Sequence, residues 1–185
     1  MLFRSARGVE TCDALLTSGA VSVGDYDFVK VAIERLVAER GGTYRWSQVA
    51  IKPAKPFAFG TIVEGERTVP VFGLPGNPVS SHVSFELFAR PALRTMAGHT
   101  TAAQRPVVVC RAVTAMTRRP DGKTHFDRVR VWVDADGGLC CERSGDQASN
   151  VLSGMAAARG LAVLDDGDGV AAGASVRVML LSDLD

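Results

Sequence analysis

Residues 68–98 read TVPVFGLPGNPVSSHVSFELFARPALRTMAG, and this stretch decides the fold. The apolar, β-branched run 68–72 is a strand, and GLPGNP is a turn built from the strongest punctuating residues. Asn77 suits a helix N-cap and Pro78 the first helical position. Val83, Leu87 and Phe88 then recur at helical spacing, so a long helix follows, which Pro91 kinks rather than ends. Strand, tight turn and helix in that order form the repeating unit of an α/β layer. Gly73 and Gly76 let a ligand approach the backbone, and Ser80 adds a hydroxyl one turn into the helix. Such a turn is either an ordinary connection or a seat for an anion.

Upstream, the same alternation continues. Ala14, Leu15, Leu16 and Thr17 read as a short buried strand. Phe28, Val29, Ile33, Leu36 and Val37 recur at helical spacing opposite Lys30, Glu34, Arg35 and Glu39, and Gly41 and Gly42 stop the helix. Between them lies TSGAVSVGDYD (17–27), where Ser18, Gly19, Ser22 and Gly24 leave backbone N–H groups and hydroxyls open to an anion. Asp25 and Asp27 in the same loop could hold a divalent cation or favour the helix N-terminus, and spacing leaves both readings open. Strands are expected over 44–51 and 56–63. They flank IKPAKPFAFG (51–60), in which Lys52 and Lys55, each followed by proline, are either a stiffened oxyanion clamp or a solvated pair.

Downstream of GHTTAAQRP (98–106) the period changes from helical to two. Strands are expected over 107–115, 124–133, 138–143, 160–164 and 175–181, separated by PDGK, DADGG and DDGDG. About 80 such residues make a small β-barrel or sandwich. The expected organisation is an α/β domain over 1–100 and a β domain over 105–185.

Composition narrows the function. With 46% hydrophobic and 22% charged residues among 185, the chain is neither disordered nor membrane-spanning. Lys and Arg total 21 against 20 for Asp and Glu, so the net charge of +1 gives no footprint for nucleic acid, and any anion site is local. Cys12, Cys110, Cys140 and Cys141 form neither zinc-type pairs nor a disulfide framework. With no export signal at the start, this reads as a cytoplasmic chain with reduced thiols. Cys140 and Cys141 alternate across a strand and read as structural. Three anion-suited loops in one α/β layer point to a phosphorylated ligand at the carboxyl ends of the strands.

TSGAVSVGDYDFVK, VAIKPAKPFAFG and VFGLPGNPVSSHVSFELFARPALRTMAG resemble, in order and spacing, three signatures of the molybdopterin molybdotransferase family, whose eukaryotic relatives include the E domain of gephyrin. The resemblance implies a partial three-layer α/β pterin-binding domain followed by a small C-terminal β-barrel. It also implies a reaction in which adenylylated molybdopterin and molybdate give molybdenum cofactor and AMP with Mg²⁺. By the same resemblance the first loop meets the pterin phosphate, and Asp27, with Asp25, matches acids of the metal-dependent hydrolysis. Lys52 and Lys55 match lysines of the oxyanion site, and Ser80 a molybdate contact. Arg128 in HFDRV and Ser149 in SGDQASN resemble the Arg and Ser that reach back over the molybdate. His125 reads instead as a packed or solvent-facing strand residue. Transfer of an oxyanion into a dithiolene needs positioning and charge neutralisation more than a protein nucleophile.

Against the family pattern, Ala20 and Ala54 stand where glycine is usual, Gln48 where a basic residue is common, and DQASN where a GHQGSH-like run is frequent. The family's chains are longer and carry upstream regions, including an acidic TGDE-like segment and the first half of the pterin domain, and they form homodimers. This chain is therefore expected to hold the site chemistry only in part, as a truncated or split form completed by an upstream half, and to bind oxyanion better than it turns over. Two other classes compete. One is a non-catalytic assembly or oligomerisation module. The other is a related pterin- or nucleotide-binding enzyme such as molybdopterin adenylyltransferase, which shares the first loop but lacks GLPGNPVS followed by a barrel.

Overall fold

The computed structural model describes residues 2–19, 28–101 and 103–182, with side chains from Arg4 onward. Two compact units emerge: Met1–Val49 with Ala54–Met96, and Ala50–Pro53 with Ala97–Asp185.

In chain order the first part runs α1 (Leu2–Thr11), β1 (Leu15–Ser18), α2 (Phe28–Arg40), β2 (Gly42–Gln48), β3 (Ile51–Lys52), β4 (Pro56–Glu64), β5 (Arg67–Leu74), α3 (Pro78–Ser84) and α4 (Arg90–Met96). The first unit's sheet has the order β1-β5-β4-β2, with β1 parallel to β5 and the remaining pairs antiparallel. Successive side chains of a strand face opposite ways, so each strand feeds two cores. Val69 and Val71 of β5 and Ile62 of β4 pack with Val9, Val29, Ile33 and Leu36 from α1 and α2. Phe72 and Leu74 of β5 and Phe57 of β4 pack with Ala89 and the partly buried Phe85, Phe88 and Ala92 of the other helical run. Helices thus cover both faces, giving the three-layer arrangement. Burying one such aliphatic or aromatic side chain stabilises by about 1.5–3 kcal/mol.

Three local outcomes differ from the sequence reading. Residues 2–11 are helical although no helix was expected there. Their order depends on distant groups: Arg67 donates to the carbonyls of Glu10 (2.7 Å), Val9 (3.3 Å) and Cys12 (3.3 Å) at the C-terminal end of α1, and Arg40 pairs with Glu10 and Glu64. The helical run from Pro78 to Met96 passes through Pro91 by widening into a π-helical turn at Phe85–Ala89. Proline lacks an N–H and clashes with the carbonyl four residues back, and a π-turn just before it removes that conflict. The strand expected over 44–51 divides. β2 ends at Gln48, while Ile51–Lys52 becomes β3 and joins the other unit's sheet, parallel to the strand that holds Thr124 and His125.

The second unit adds β6 (Val107–Ala112), β7 (Met116–Thr117), β8 (Thr124–Val133), β9 (Leu139–Arg143), α5 (Leu152–Ala156), β10 (Gly160–Leu164), β11 (Gly169–Val170) and β12 (Ser175–Leu180). Strands run β10-β12-β6-β9-β8, and β8 pairs again with β10, so five strands close a barrel and β3 is appended to β8. Closure removes the sheet edges that would otherwise be open to pairing. The interior holds Met116, Val129, Val131, Ala162, Leu164, Val176 and Val178 with the thiols of Cys110 and Cys141. Burial pushes the Cys141 thiol up to about 12, so this is an inert packing group. Arg118, almost fully buried, ties the loops at one end: it donates to the carbonyls of Lys123, Leu164 and Asp165 and to the carboxylates of Asp121 and Asp166. Among the described residues no helix is long and apolar enough to cross a membrane.

Two stability measurements follow from these details. Ala54 has φ +86 and is almost fully buried. A left-handed backbone costs an L-residue about 1–2 kcal/mol, enough to offset the lost methyl and the added chain entropy of glycine. Ala54→Gly should therefore stay within about 0.5 kcal/mol of wild type, while Ala58→Gly in β4 loses about 1–2 kcal/mol. Equal losses in urea titrations would refute strain at Ala54. The Lys123 ammonium, then the His125 imidazole, holds the Asp121 carboxyl down to about 2 from its ordinary 3.8. A depressed carboxylate stabilises above the ordinary value and stops doing so as pH falls through the folded value. Wild-type stability should fall more steeply than that of Asp121→Asn between about pH 4 and pH 2; parallel curves would refute the assignment.

Candidate functional site

The carboxyl ends of the two parallel strands lie side by side, with Ser18 in register with Leu74. Gly19 continues the pairing by donating its N–H to the Leu74 carbonyl at 3.1 Å. Gly19 has φ +85, which favours glycine, and a methyl added at Gly76 would stand 3.4 Å from the Gly19 Cα. The first and third loops are therefore in direct backbone contact. The Ser18 and Ser81 hydroxyls are 3.4 Å apart. A cleft of about 400 Å³ opens there, lined by Ser18, Leu74, Gly76, Ser81, His82 and Phe85. Its position is the one where ligands bind open α/β sheets.

Of the residues singled out from sequence, Ser18 and Gly76 line this cleft and Gly19 backs it. Gly73 sits inside β5, paired with Thr17 on one side and Ala58 on the other. Asn77 holds the N-cap position with extended backbone, but its side chain makes no capping hydrogen bond; its carbonyl accepts the Ser81 N–H at 2.8 Å. Ser80 is buried, and the hydroxyl at the cleft is that of the next residue, Ser81. Ser81 and His82 were both missed. The signal was present, since the first helical turn after GNP brings consecutive polar side chains to the strand ends. Ser22, Gly24, Asp25 and Asp27, with Ala20, lie outside the described residues.

Lys55 belongs to the first unit and Lys52 to the second, and both are exposed. The Lys52–Pro53 peptide is cis, and the Val49 N–H donates to the Lys55 carbonyl at 2.8 Å, closing the neck of the excursion. Within the second unit, Lys52 is in register with His125 of β8, the strand that also carries Arg128.

Arg128 is fully buried, and the strand period explains how. Val129 and Val131 face the barrel interior, so Arg128 faces outward with Arg130 and Trp132, and residues 144–154 cover it. Its Nη2 donates to the carbonyls of Asp146 (2.7 Å) and Ala148 (3.2 Å), while Nε and Nη1 have no partner among the described residues. Desolvation lowers the guanidinium's affinity for its proton, and Asp127 and Asp146 oppose that. The Gln147 amide takes the place of a neighbouring strand: it accepts the Arg128 N–H at 2.7 Å and donates to the Arg128 and Gly145 carbonyls at 3.2 and 2.9 Å. Ser149, two residues on, is half-buried in the same covering segment. Gln147 was not singled out from sequence, because its partner is a backbone 19 residues away. Elsewhere on the barrel, Arg130, Trp132, Glu142 and Arg159 border a separate hollow of about 350 Å³.

Among the described residues no group of three or more His, Cys, Asp or Glu side chains gathers to hold a metal. The acids expected to hold Mg²⁺ are outside those residues, so the chemistry legible at the cleft is that of hydroxyls and close backbone suited to an anion. Replacing Gln147 with Ala orphans a buried N–H and should cost about 1–3 kcal/mol in denaturant titrations. An unchanged midpoint would show that the amide does not hold β8.

Residues 2–95 match the model of a probable molybdopterin binding domain, and residues 112–181 match the MoeA C-terminal region, domain IV. The molybdopterin molybdenumtransferase of Haemophilus influenzae is 31% identical over 167 residues, covering 90% of this chain and 39% of that protein. Molybdopterin molybdenumtransferase 2 of Mycobacterium tuberculosis is 37% identical over 169 residues, with the same coverages of 90% and 39%. A crystal structure of the molybdopterin biosynthesis MoeA protein from Pyrococcus horikoshii superposes with a TM-score of 0.71 at 22% identity, over 98% of this chain and 40% of that one. The chain thus spans about two-fifths of the length of these relatives. A molybdopterin-binding domain followed by the MoeA C-terminal barrel places the chain in the molybdopterin molybdenumtransferase family.

Proposed function

We propose that the chain acts in molybdenum cofactor biosynthesis, taking adenylylated molybdopterin and molybdate toward molybdenum cofactor and AMP. The observation that carries this reading is the contact of Gly19 and Ser18 with Gly76 and Ser81 at the ends of β1 and β5, in a chain whose two halves match the family's domains in order. The cleft supplies hydroxyls and close backbone for a pterin phosphate. Lys52, Lys55, Ser80, Arg128 and Ser149 are the candidate oxyanion contacts. Lys52 and Lys55 are exposed cations, and Arg128 keeps two unpaired donors. Asp25 and Asp27 are the candidate Mg²⁺ ligands, with Ser22 and Gly24 beside them on the phosphate loop.

In chemical terms, two Mo–S bonds form as oxygen leaves molybdate as water with the two dithiol protons, while a water cleaves the P–O–P bond of the adenylylated phosphate and AMP is released. Both events move negative charge. Fixed donors that neutralise that charge lower the barrier without any covalent intermediate on the protein. Mg²⁺, when bound, supplies further neutralisation at the phosphate. The barrel Arg is suited to a planar contact with oxyanion oxygens, and the two lysines to point-charge contacts. We read residues 1–100 as the pterin-binding part and 105–185 as the barrel, acting in the family's homodimer or with an upstream half, in the cytoplasm.

Calorimetric titration with molybdate tests the site. Lys52→Ala and Lys55→Ala should each weaken binding by about tenfold, the size of one charge-assisted contact. Unchanged affinity in both would make them surface charges. A second assay follows AMP release from adenylylated molybdopterin with Mg²⁺ and molybdate, by the chain alone and with the remaining part of a full-length relative in trans. Turnover should require the addition, and full turnover by the chain alone would contradict the assignment of residues.

A further inference from the structure

We propose that His82 is a ligand-contacting residue of the first unit's cleft, whose imidazole in its protonated form binds a tetrahedral oxyanion. This rests on the reading that the cleft receives the anionic part of the substrate, and it names a residue that neither the sequence signatures nor the family matches assign.

The argument begins with the walls. β1 contributes the Ser18 hydroxyl, β5 contributes Leu74, and the following turn contributes Gly76 and Pro78. The helical run contributes Ser81, His82 and Phe85. Hydroxyls and backbone suit an anion but supply no charge. Among the described lining residues His82 is the one side chain that can become a cation, and none of them is a carboxylate. The imidazole is 45% exposed, so a ligand can reach it.

The surrounding charges leave that role open. Glu86, one turn along and almost fully buried, has Oε1 3.8 Å from His82 Nε2, an ion-pair rather than a hydrogen-bond separation. On its other side Arg90 Nε lies 3.6 Å from Glu86 Oε2, so the carboxylate is shared between the imidazole and a guanidinium. Among the described lining residues, β1 and β5 face the imidazole with no charged group. With Nε2 toward Glu86, Nδ1 is the nitrogen left to a ligand oxygen. The protonated imidazole is the form that attracts an anion, so anion affinity should be greater at the lower pH.

Sulfate is the probe, because it stays a dianion across this range and any pH dependence belongs to the protein. Titrations of the full chain at pH 5.5 and pH 8 should show affinity falling about fivefold as pH rises, the size of one partly exposed charged contact. His82→Gln, which keeps size and a donor without the charge, should bind with the weaker affinity at both pH values and melt as wild type does. His99 and His125 remain in the variant and serve as the internal control. An equal pH slope in His82→Gln, or no sulfate binding by wild type up to millimolar concentration, overturns the inference. Neither result touches the pathway reading, which the molybdopterin assay decides separately. At pH 6.5, AMP and molybdate titrations tell the source of the oxyanion: a selective loss of AMP binding in the variant seats a phosphate ester at His82, and a selective loss of molybdate binding seats molybdate.

Discussion

The first unit depends on one close approach, that of Gly19 to Gly76 across the ends of two parallel strands. The paired residues of β1 and β5, such as Ser18 and Leu74, are far apart in the chain, and their parallel pairing leaves both following loops at the same end of the sheet. The φ of +85 at Gly19 favours glycine, and a methyl at Gly76 would already be in van der Waals contact with the Gly19 Cα at 3.4 Å, so little space is left between the two loops. The Gly19 N–H reaches the Leu74 carbonyl, the Ser18 and Ser81 hydroxyls meet, and a cleft remains where backbone and hydroxyls face a ligand. The layers on either side exist to hold these strands. Val69 and Val71 pack one way and Phe72 and Leu74 the other, so neither face of β5 is free to let the loops drift.

The barrel solves a different problem, which is how to keep an arginine on its wall away from water. Arg128 faces outward from a closed sheet, and the segment from Ser144 to Gly154 folds over it. The Ser144 N–H donates to the Arg128 carbonyl at 2.9 Å, and the Ser144 hydroxyl to that of Gly154 at 2.5 Å. Gly154 matters because a side chain there would stand 3.1 Å from the Asp146 carbonyl oxygen, which accepts from Arg128 Nη2. A buried guanidinium with two unspent donors is costly in a purely structural role, and such costs are concentrated at functional sites. Its burial would strengthen any contact it makes with an oxyanion.

Much of this was legible in the sequence, and for identifiable reasons. The strands at 124–133 and 160–164 have period two between strong turn signals, and the structure places them at those residues. GLPGNP joins strand to helix because turn chemistry and the Pro78 position are local. Helix α1 was not legible, since it is stabilised by Arg67 and Arg40 from far along the chain. Nor was the division of 44–51, because Ile51 and Lys52 pair with β8, a partner local propensity cannot reveal. Within the cleft, Ser18 and Gly76 stood out as loop residues. Ser81 and His82 did not, because a helix periodicity argument treats them as surface.

The central claim is that the ends of β1 and β5 form the ligand site. It is tested most directly by a backbone amide NMR titration of the chain with adenylylated molybdopterin. The account predicts that the amides of Gly19, Gly76 and Ser81 shift together along one saturation curve. Shifts confined to the hollow around Arg130, Trp132 and Arg159, with those three amides unmoved, would contradict it.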